Sequence, residues 1–309
     1  MIRIGFYGNA AAIAEWESAL VTRLPPFEIN ELLSEAGAAS DVALVWAPPP
    51  DAFASCSSLR GIIMQGQGVD HMMRDSTVPR DIPLVRLIDP DMANALSHWA
   101  ILNALDFWRD GAAYRAQEAA RNWRSLPQRP ATGGRVGILG VGAIGTVIAR
   151  RFAALGFSVR GFARSPKQID GVDIFVGMDQ LADFADNLDI VVSVLPLTPQ
   201  TTGIMNADFF DRLAPGAFII NGGRGPQVDD DDLLAALDSG RLGGAALDVF
   251  AVEPLPDEHP FWTHSKVRVW PHVAAQTNAT SAADQVAQAI RRMMAGEEPA
   301  NRVDWARGY

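Results

Sequence analysis

Residues 135–145, RVGILGVGAIG, constrain the fold of this chain more than any other stretch. An apolar run ends on Gly140-x-Gly142-x-x-Gly145 and passes into TVIARRFAALG, which has helical periodicity. Strand, tight turn and helix in that order form the fingerprint of a dinucleotide-binding βαβ unit. Gly140 permits the turn, Gly142 lets the main chain approach a pyrophosphate, and Gly145 allows the helix to pack closely on the sheet. Ala143 and Ile144 then stand at the positive end of the helix dipole, where N–H groups meet an anion. Because 27 of the 309 residues are glycine, the flanking strand and helix carry the signal rather than the glycines alone. The competing reading is a purely structural turn.

Around this motif, short β-rich runs alternate with helical patterns, as in parallel α/β units. Strands are expected at 2–7, 42–47, 61–65 and 83–87, with a helix at 10–21 after the first. From 91 to 121 there is no proline, and Met92, Leu96, Trp99, Leu102, Leu105 and Phe107 form an apolar stripe that predicts one long helix. A second series follows, with strands at 135–139, 158–162, 189–195, 217–221, 244–250 and 267–270 and helices at 144–155, 208–213 and 229–239. The helical segment 277–294 is expected to return to the first sheet. At 309 residues the chain is long enough for two domains. The reading is α/β, with two doubly wound parallel sheets: a discontinuous domain of 1–92 and 278–309, and a dinucleotide-binding domain of 93–277.

Charge and composition exclude several functions. Lys and Arg number 26 against 36 Asp and Glu, a net charge of −10 spread along the chain, so a phosphate backbone meets repulsion and nucleic acid is not expected as a partner. A mean hydropathy of +0.05 is that of a soluble globular chain. The uncharged stretch 136–149 is shorter than the about 20 residues of a membrane span and is interrupted by glycines. Arg3 and two glycines interrupt the N-terminus where a signal peptide needs a continuous apolar core. The lone Cys56 suits a reducing compartment, so a cytoplasmic protein is expected. No metal site is expected: His71, His98, His259 and His264 lack the i,i+4 pairing of a zinc-binding helix.

Cofactor choice turns on the end of the strand after the glycine loop. NAD-binding versions place an acid there for the ribose 2′-OH. Here the segment is VRGFARSPK, with Ala163 where the acid is expected and Arg164, Ser165 and Lys167 following. Cations and a hydroxyl suit a 2′-phosphate, so NADPH/NADP is favoured over NADH/NAD. The alternative is a solvated basic turn.

Downstream, VVSVLPLTPQTTGIMN, FIINGGRGPQVDDDDLLAALDSGRLGGAALDVFAVEPLP and VWPHVAA stand in an order that resembles the D-2-hydroxyacid dehydrogenase family. ALVWAPPP, MQGQGVDHM and IPLVRLIDPDM extend the likeness over nearly the whole chain, toward that family's glyoxylate/hydroxypyruvate reductase branch. The resemblance implies a Rossmann-type cofactor domain, a flavodoxin-like substrate domain, closure of the two on a cleft, a homodimer and D-stereochemistry. It implies Leu195 and Pro196 at the cofactor, and Asp248 at the nicotinamide carboxamide, against the alternative that Asp248 caps a loop.

Carried over by position, the family's arginine falls on Arg224, its acid on Glu253 and its histidine on His272. A 2-keto acid presents a carboxylate beside a carbonyl, which a planar, permanently charged guanidinium can bind and polarise. The alkoxide that forms on hydride arrival needs a proton, the role of His272. A carboxylate beside the imidazole orients it and favours its charged form, the role of Glu253. In MQGQGVD, Gly66 and Gly68 can turn N–H groups toward an anion, and the family uses this loop for the substrate carboxylate. Gln67 stands between those glycines where a small residue is usual, and Gly223 replaces the usual alanine before the arginine. Trp46, before PPP, is expected to wall the substrate site and favour small substrates, or else to be a core aromatic. Asp229–Asp232 is expected only to complement a helix N-terminus.

The expected activity is NADPH-dependent reduction of small 2-keto acids, glyoxylate and hydroxypyruvate, to D-2-hydroxy acids. The alternatives are a family member that acts on a larger 2-keto acid or prefers NAD, and a dinucleotide-sensing protein of the corepressor type.

Overall fold

The computed structural model describes residues 1–308. The chain divides into two compact units, Met1–Met92 with Gln276–Tyr309, and Ala93–Ala275.

In the first unit, β1 (Ile2–Tyr7), α1 (Ala12–Leu20), β2 (Phe27–Glu31), α2 (Glu35–Ala38), β3 (Val42–Val45), β4 (Ile62–Met64), α3 (Asp70–Arg74) and β5 (Leu84–Val85) follow in turn. Their sheet has the order β2-β1-β3-β4-β5 and every pairing is parallel. This is the flavodoxin-like order. Val42 and Leu44 enter one core with Ile4 and Ile63, whereas Ala43 and Val45 enter the other with Ile62 and Met64. A sheet buried on both faces needs apolar residues at every position, which is why these strands read as unbroken runs.

The second unit begins with α4 (Pro90–Trp108, entered from the first unit) and α5 (Gly111–Ala119). It continues through β6 (Arg135–Leu139), α6 (Ala143–Ala154), β7 (Ser158–Ala163), β8 (Val172–Val176), α7 (Leu181–Ala185), β9 (Ile190–Ser193), α8 (Ala207–Arg212), β10 (Ala217–Asn221), α9 (Asp230–Asp238), β11 (Leu242–Leu247) and β12 (Val267–Val269). The strand order β12-β11-β10-β9-β6-β7-β8 is all parallel and doubly wound, with its reversal between β6 and β9. Asp229 caps α9, its side chain accepting the N–H of Asp232 at 3.0 Å.

The last helix, α10 (Ala279–Met294), completes the first unit by laying Ala283, Val286, Ala287 and Ile290 against Ile4, Leu20 and Leu44. Asn278 caps it, accepting the N–H groups of Thr280 and Ser281.

Four expectations need correction. The single helix at 91–121 is two, because Asp110 takes a left-handed conformation (φ 56°) just before Gly111. Leu102, counted in the apolar stripe, is exposed, and α5 buries no residue. The strands β2 and β8 were not expected; both lie at sheet edges, where FEINE buries only Ile29 and VDIFV is only half-buried. Most expected strands also extend one to three residues too far, since in the runs at 83–87 and 244–250 the apolar pattern continues into the loop after pairing ends.

Among the described residues, no helix is long and apolar enough to cross a membrane, and no group of three or more His, Cys, Asp or Glu could hold a metal.

Candidate active site

The glycine loop of the second unit connects β6 to α6. Gly140 has φ +98°, a region side chains rarely tolerate, and a Cβ there would stand 3.1 Å from the Leu195 backbone. At Gly145 a Cβ would lie 2.0 Å from the Gly140 carbonyl oxygen, so the helix can start this close only with glycine. Gly142 differs: nothing lies within 4 Å of where its Cβ would be. It is also the N-cap of α6, with no side chain capping the helix. Open space above main chain at an uncapped helix N-terminus is a cradle that fits a pyrophosphate.

At the end of β7, Ala163 is buried and Arg164 and Ser165 are exposed in the turn that follows. Lys167 donates to the Val141 carbonyl, which ties this turn back to the glycine loop. Leu195 and Pro196 follow β9, on the other side of the strand reversal.

Arg224, Glu253 and His272 follow the carboxyl ends of β10, β11 and β12, three adjacent strands. Gly225 brings the first two segments into contact, since a Cβ on it would lie 1.8 Å from the Phe250 carbonyl carbon. His272 Nδ1 lies 2.7 Å from Glu253 Oε2, and Glu253 Oε1 accepts the Phe250 N–H at 2.9 Å. Burial pushes the Glu253 carboxyl up, but the bonds from His272 and Phe250, with the charges of His272 and Arg224, outweigh it and hold it below the usual range.

Asp248 is 2% exposed. Its carboxylate accepts the N–H groups of Val273 at 2.8 Å and Ala274 at 3.0 Å, anchoring the chain just after His272. Burial pushes the Asp248 carboxyl up, against these backbone bonds. Beyond the cofactor contact or loop cap expected of it, Asp248 holds the His272 turn, where His272 itself has φ 54°.

Three buried polar residues around Arg224 were not singled out from the sequence. Asn221 donates to the Arg224 carbonyl at 3.0 Å and accepts the Gly223 N–H at 3.1 Å. Gln227 accepts the Arg224 N–H at 3.1 Å and donates to the Leu195 carbonyl at 2.8 Å. Ser193 donates to Gln227 at 3.1 Å. Their signal was polarity inside or beside apolar strands: Ser193 ends IVVS and Asn221 ends AFIIN, two strands buried throughout.

In the first unit, Gly66, Gln67 and Gly68 follow β4. The Trp46 ring lies against Gly66, where a Cβ would come within 2.5 Å of its Cζ3, and it meets the His71 ring edge-on at a centroid distance of 5.5 Å. At 37% exposure Trp46 is not a core aromatic. Thr277 donates to the Gln65 carbonyl and Gly66 accepts the Leu87 N–H at 3.1 Å, so this loop is held from both sides.

Comparison with known proteins agrees with the geometry. A family model described as D-isomer specific 2-hydroxyacid dehydrogenase, NAD binding domain, matches residues 101–274. Glyoxylate/hydroxypyruvate reductase A from Serratia proteamaculans is 40% identical over 313 aligned positions and the one from Yersinia enterocolitica 39%, each match covering all of both chains. A D-isomer specific 2-hydroxyacid dehydrogenase from Xanthobacter autotrophicus, solved with NADPH and MES, is 38% identical with a TM-score of 0.93, over 100% of this chain and 99% of that one. An NADPH-dependent glyoxylate/hydroxypyruvate reductase from Sinorhizobium meliloti, solved with NADP and sulfate, is 36% identical with a TM-score of 0.92 over all of both chains.

Proposed function

The chain belongs to the D-isomer specific 2-hydroxyacid dehydrogenase family, and from that premise we propose that it reduces glyoxylate and hydroxypyruvate to D-2-hydroxy acids with NADPH. The observation that carries this reading is the 2.7 Å pair of His272 and Glu253 at the strand ends that also carry Arg224. Relatives similar over the whole chain bear the same activity in their names and NADP or NADPH in their structures.

NADPH, when bound, supplies the hydride. Gly140, Gly142, Ala143, Ile144 and Gly145 would hold its pyrophosphate, Arg164, Ser165 and Lys167 its 2′-phosphate, Leu195 and Pro196 would border it, and Asp248 would meet its carboxamide. Arg224 pairs with the substrate carboxylate and withdraws electron density from the adjacent carbonyl. His272 donates the Nε2 proton to the carbonyl oxygen as negative charge develops there, while Glu253 orients the ring through Nδ1. The loop of Gly66, Gln67 and Gly68 supplies N–H groups to the carboxylate, and Trp46 limits substrate size. The family resemblance further supports a homodimer, which light scattering on the purified protein tests.

Initial rates with NADPH and NADH across a panel of 2-keto acids of increasing size test the function. The expected result is turnover of glyoxylate and hydroxypyruvate with NADPH preferred, and a D-configured product from hydroxypyruvate. A protein that binds NADPH yet reduces no 2-keto acid would be a dinucleotide sensor instead.

A further inference from the structure

Gln227 lies between two loops that the proposed function assigns to different ligands. It is fully buried, on the short turn after Arg224. Its amide oxygen accepts from Arg224 N and Ser193 Oγ, both at 3.1 Å, and its amide nitrogen donates to the carbonyls of Leu195 at 2.8 Å and Pro196 at 3.2 Å. Two acceptor and two donor positions are the whole capacity of a primary amide. The orientation is fixed as well, because swapping oxygen and nitrogen would set donor against donor and acceptor against acceptor.

We propose that Gln227 is a positioning residue that couples cofactor binding to keto-acid binding, one buried amide joining the Arg224 turn to the Leu195–Pro196 loop. The proposal rests on the reading of Arg224 as the substrate arginine and of Leu195 and Pro196 as cofactor-bordering. A ligand that settles the Leu195–Pro196 carbonyls in place also settles the amide, and through it the main chain from which the Arg224 side chain projects. Coupling of this kind is reciprocal, so keto acid must tighten cofactor by the same factor. A four-bonded amide transmits such a bias better than an apolar side chain, because it cannot shift toward one loop without loosening a bond to the other.

The same amide accounts for Gly223. A Cβ at that position would stand 2.6 Å from Gln227 Oε1 and 3.1 Å from the Leu195 carbonyl oxygen. A side chain could be added at 223 only by pushing the amide out of its four bonds, so the small residue before the arginine and the glutamine after it form a matched pair.

The test is fluorescence titration of NADPH into the purified protein with and without saturating oxalate, an unreactive dianion of keto-acid size, alongside steady-state KM values for glyoxylate and NADPH. In the parent, oxalate is expected to tighten NADPH several-fold. Gln227→Leu keeps the volume and removes all four bonds; the oxalate effect should fall toward onefold and kcat/KM for glyoxylate should drop about 10–100-fold. Gln227→Glu keeps the acceptor for Arg224 but turns a carboxylate oxygen toward the Leu195 and Pro196 carbonyls. It should weaken NADPH about tenfold while sparing the glyoxylate KM at saturating NADPH, a split that general destabilisation does not produce. Gly223→Ala approaches the amide from the opposite side and should reproduce the lost coupling, which decides the matter if Gln227→Leu does not fold. Variants that keep the parent's oxalate effect, or that only melt at lower temperature with coupling unchanged, overturn the proposal. A parent that binds NADPH more tightly with oxalate but turns over no keto acid overturns the proposed activity and leaves the coupling standing.

Discussion

Both carboxylate oxygens of Asp248 accept the backbone N–H of Ala274, each at 3.0 Å, two residues beyond His272. A buried acid at the end of one strand thereby sets the path of the loop that leaves the next. Asp248→Ala leaves the buried Ala274 N–H without its acceptor, which should cost about 1–3 kcal/mol of stability and lower kcat because the histidine loses its anchor. Asp248→Asn keeps one acceptor oxygen and should lie between parent and Asp248→Ala in both measurements. Thermal melts and kcat of the three proteins check the ranking, and an Asp248→Ala protein with parental kcat contradicts it.

His272→Ala should reduce kcat by about 10²–10⁴ with NADPH affinity nearly unchanged. Glu253→Gln, similar in shape but uncharged, should cost less, about 10–100-fold, since the ring keeps a hydrogen-bond partner but loses the opposing charge. Full activity of His272→Ala at pH 7 rules out its role as proton donor.

Arg224→Lys retains the charge and loses the planar fork. We expect kcat/KM for glyoxylate to fall by at least about 10², with a smaller effect on any aldehyde lacking a carboxylate. Equal reduction of 2-keto acids by Arg224→Lys and parent would show that the fork is not needed.

The turn after Ala163 should read the 2′-phosphate. Arg164→Ala should raise KM for NADPH about 10–100-fold, or about 1.4–2.8 kcal/mol, and leave NADH nearly unaffected. Ala163→Asp should disfavour NADPH further by repulsion. Values of kcat/KM for both cofactors at fixed salt decide; loss of both alike in Arg164→Ala would assign the turn no part in phosphate recognition.

Acid should destabilise the fold through three carboxylates held below their ordinary range. Burial raises Asp41, but its bonds to Arg3 at 2.9–3.3 Å and that residue's charge more than reverse this. Asp106 is lowered by its bonds to Arg115 and by Arg268, against burial, and Glu253 is lowered as described. A folded-state value below the unfolded one contributes stability that is complete above the unfolded value, about 4 for these acids, and disappears as pH falls through the folded one. Asp230 and Asp248, which burial raises, work the other way, since their protonation favours the fold as pH falls; the three lowered acids outnumber them, so melting temperature should fall below about pH 4. Asp106→Asn should flatten the acid limb in part, and an acid limb unchanged in that variant contradicts the share assigned to Asp106.

The sequence made the parallel α/β architecture legible because strands buried on both faces carry unbroken apolar runs, as in VALV and AFIIN. It hid β2 and β8 because an edge strand half in solvent needs no such run. The break in the helix at 110 did have a signal, the Asp-Gly pair that favours a left-handed turn, which the continuing apolar stripe masked. In the site, the glycine loop was legible from steric demands alone. Nothing in the numbers 224, 253 and 272 says that the three residues meet; strand order brings their segments side by side, and resemblance alone named them. Polarity at the end of AFIIN marked Asn221, but not its role or that of Gln227, because most of their partners are main-chain atoms that a pattern of side chains does not name.

The return of α10 to the first sheet has a consequence for how the protein is made. Residues 1–92 leave the ribosome before the rest of both units, yet the surface that Ile4, Leu20 and Leu44 present to Ala283, Val286 and Ile290 stays uncovered until some two hundred more residues have been synthesised. The continuous unit at 93–275 has all of its strands before then and can fold first. The nascent N-terminal sheet is therefore the segment most in need of a chaperone, and a ribosome stalled just before α10 would leave one folded unit joined to one with an open apolar face.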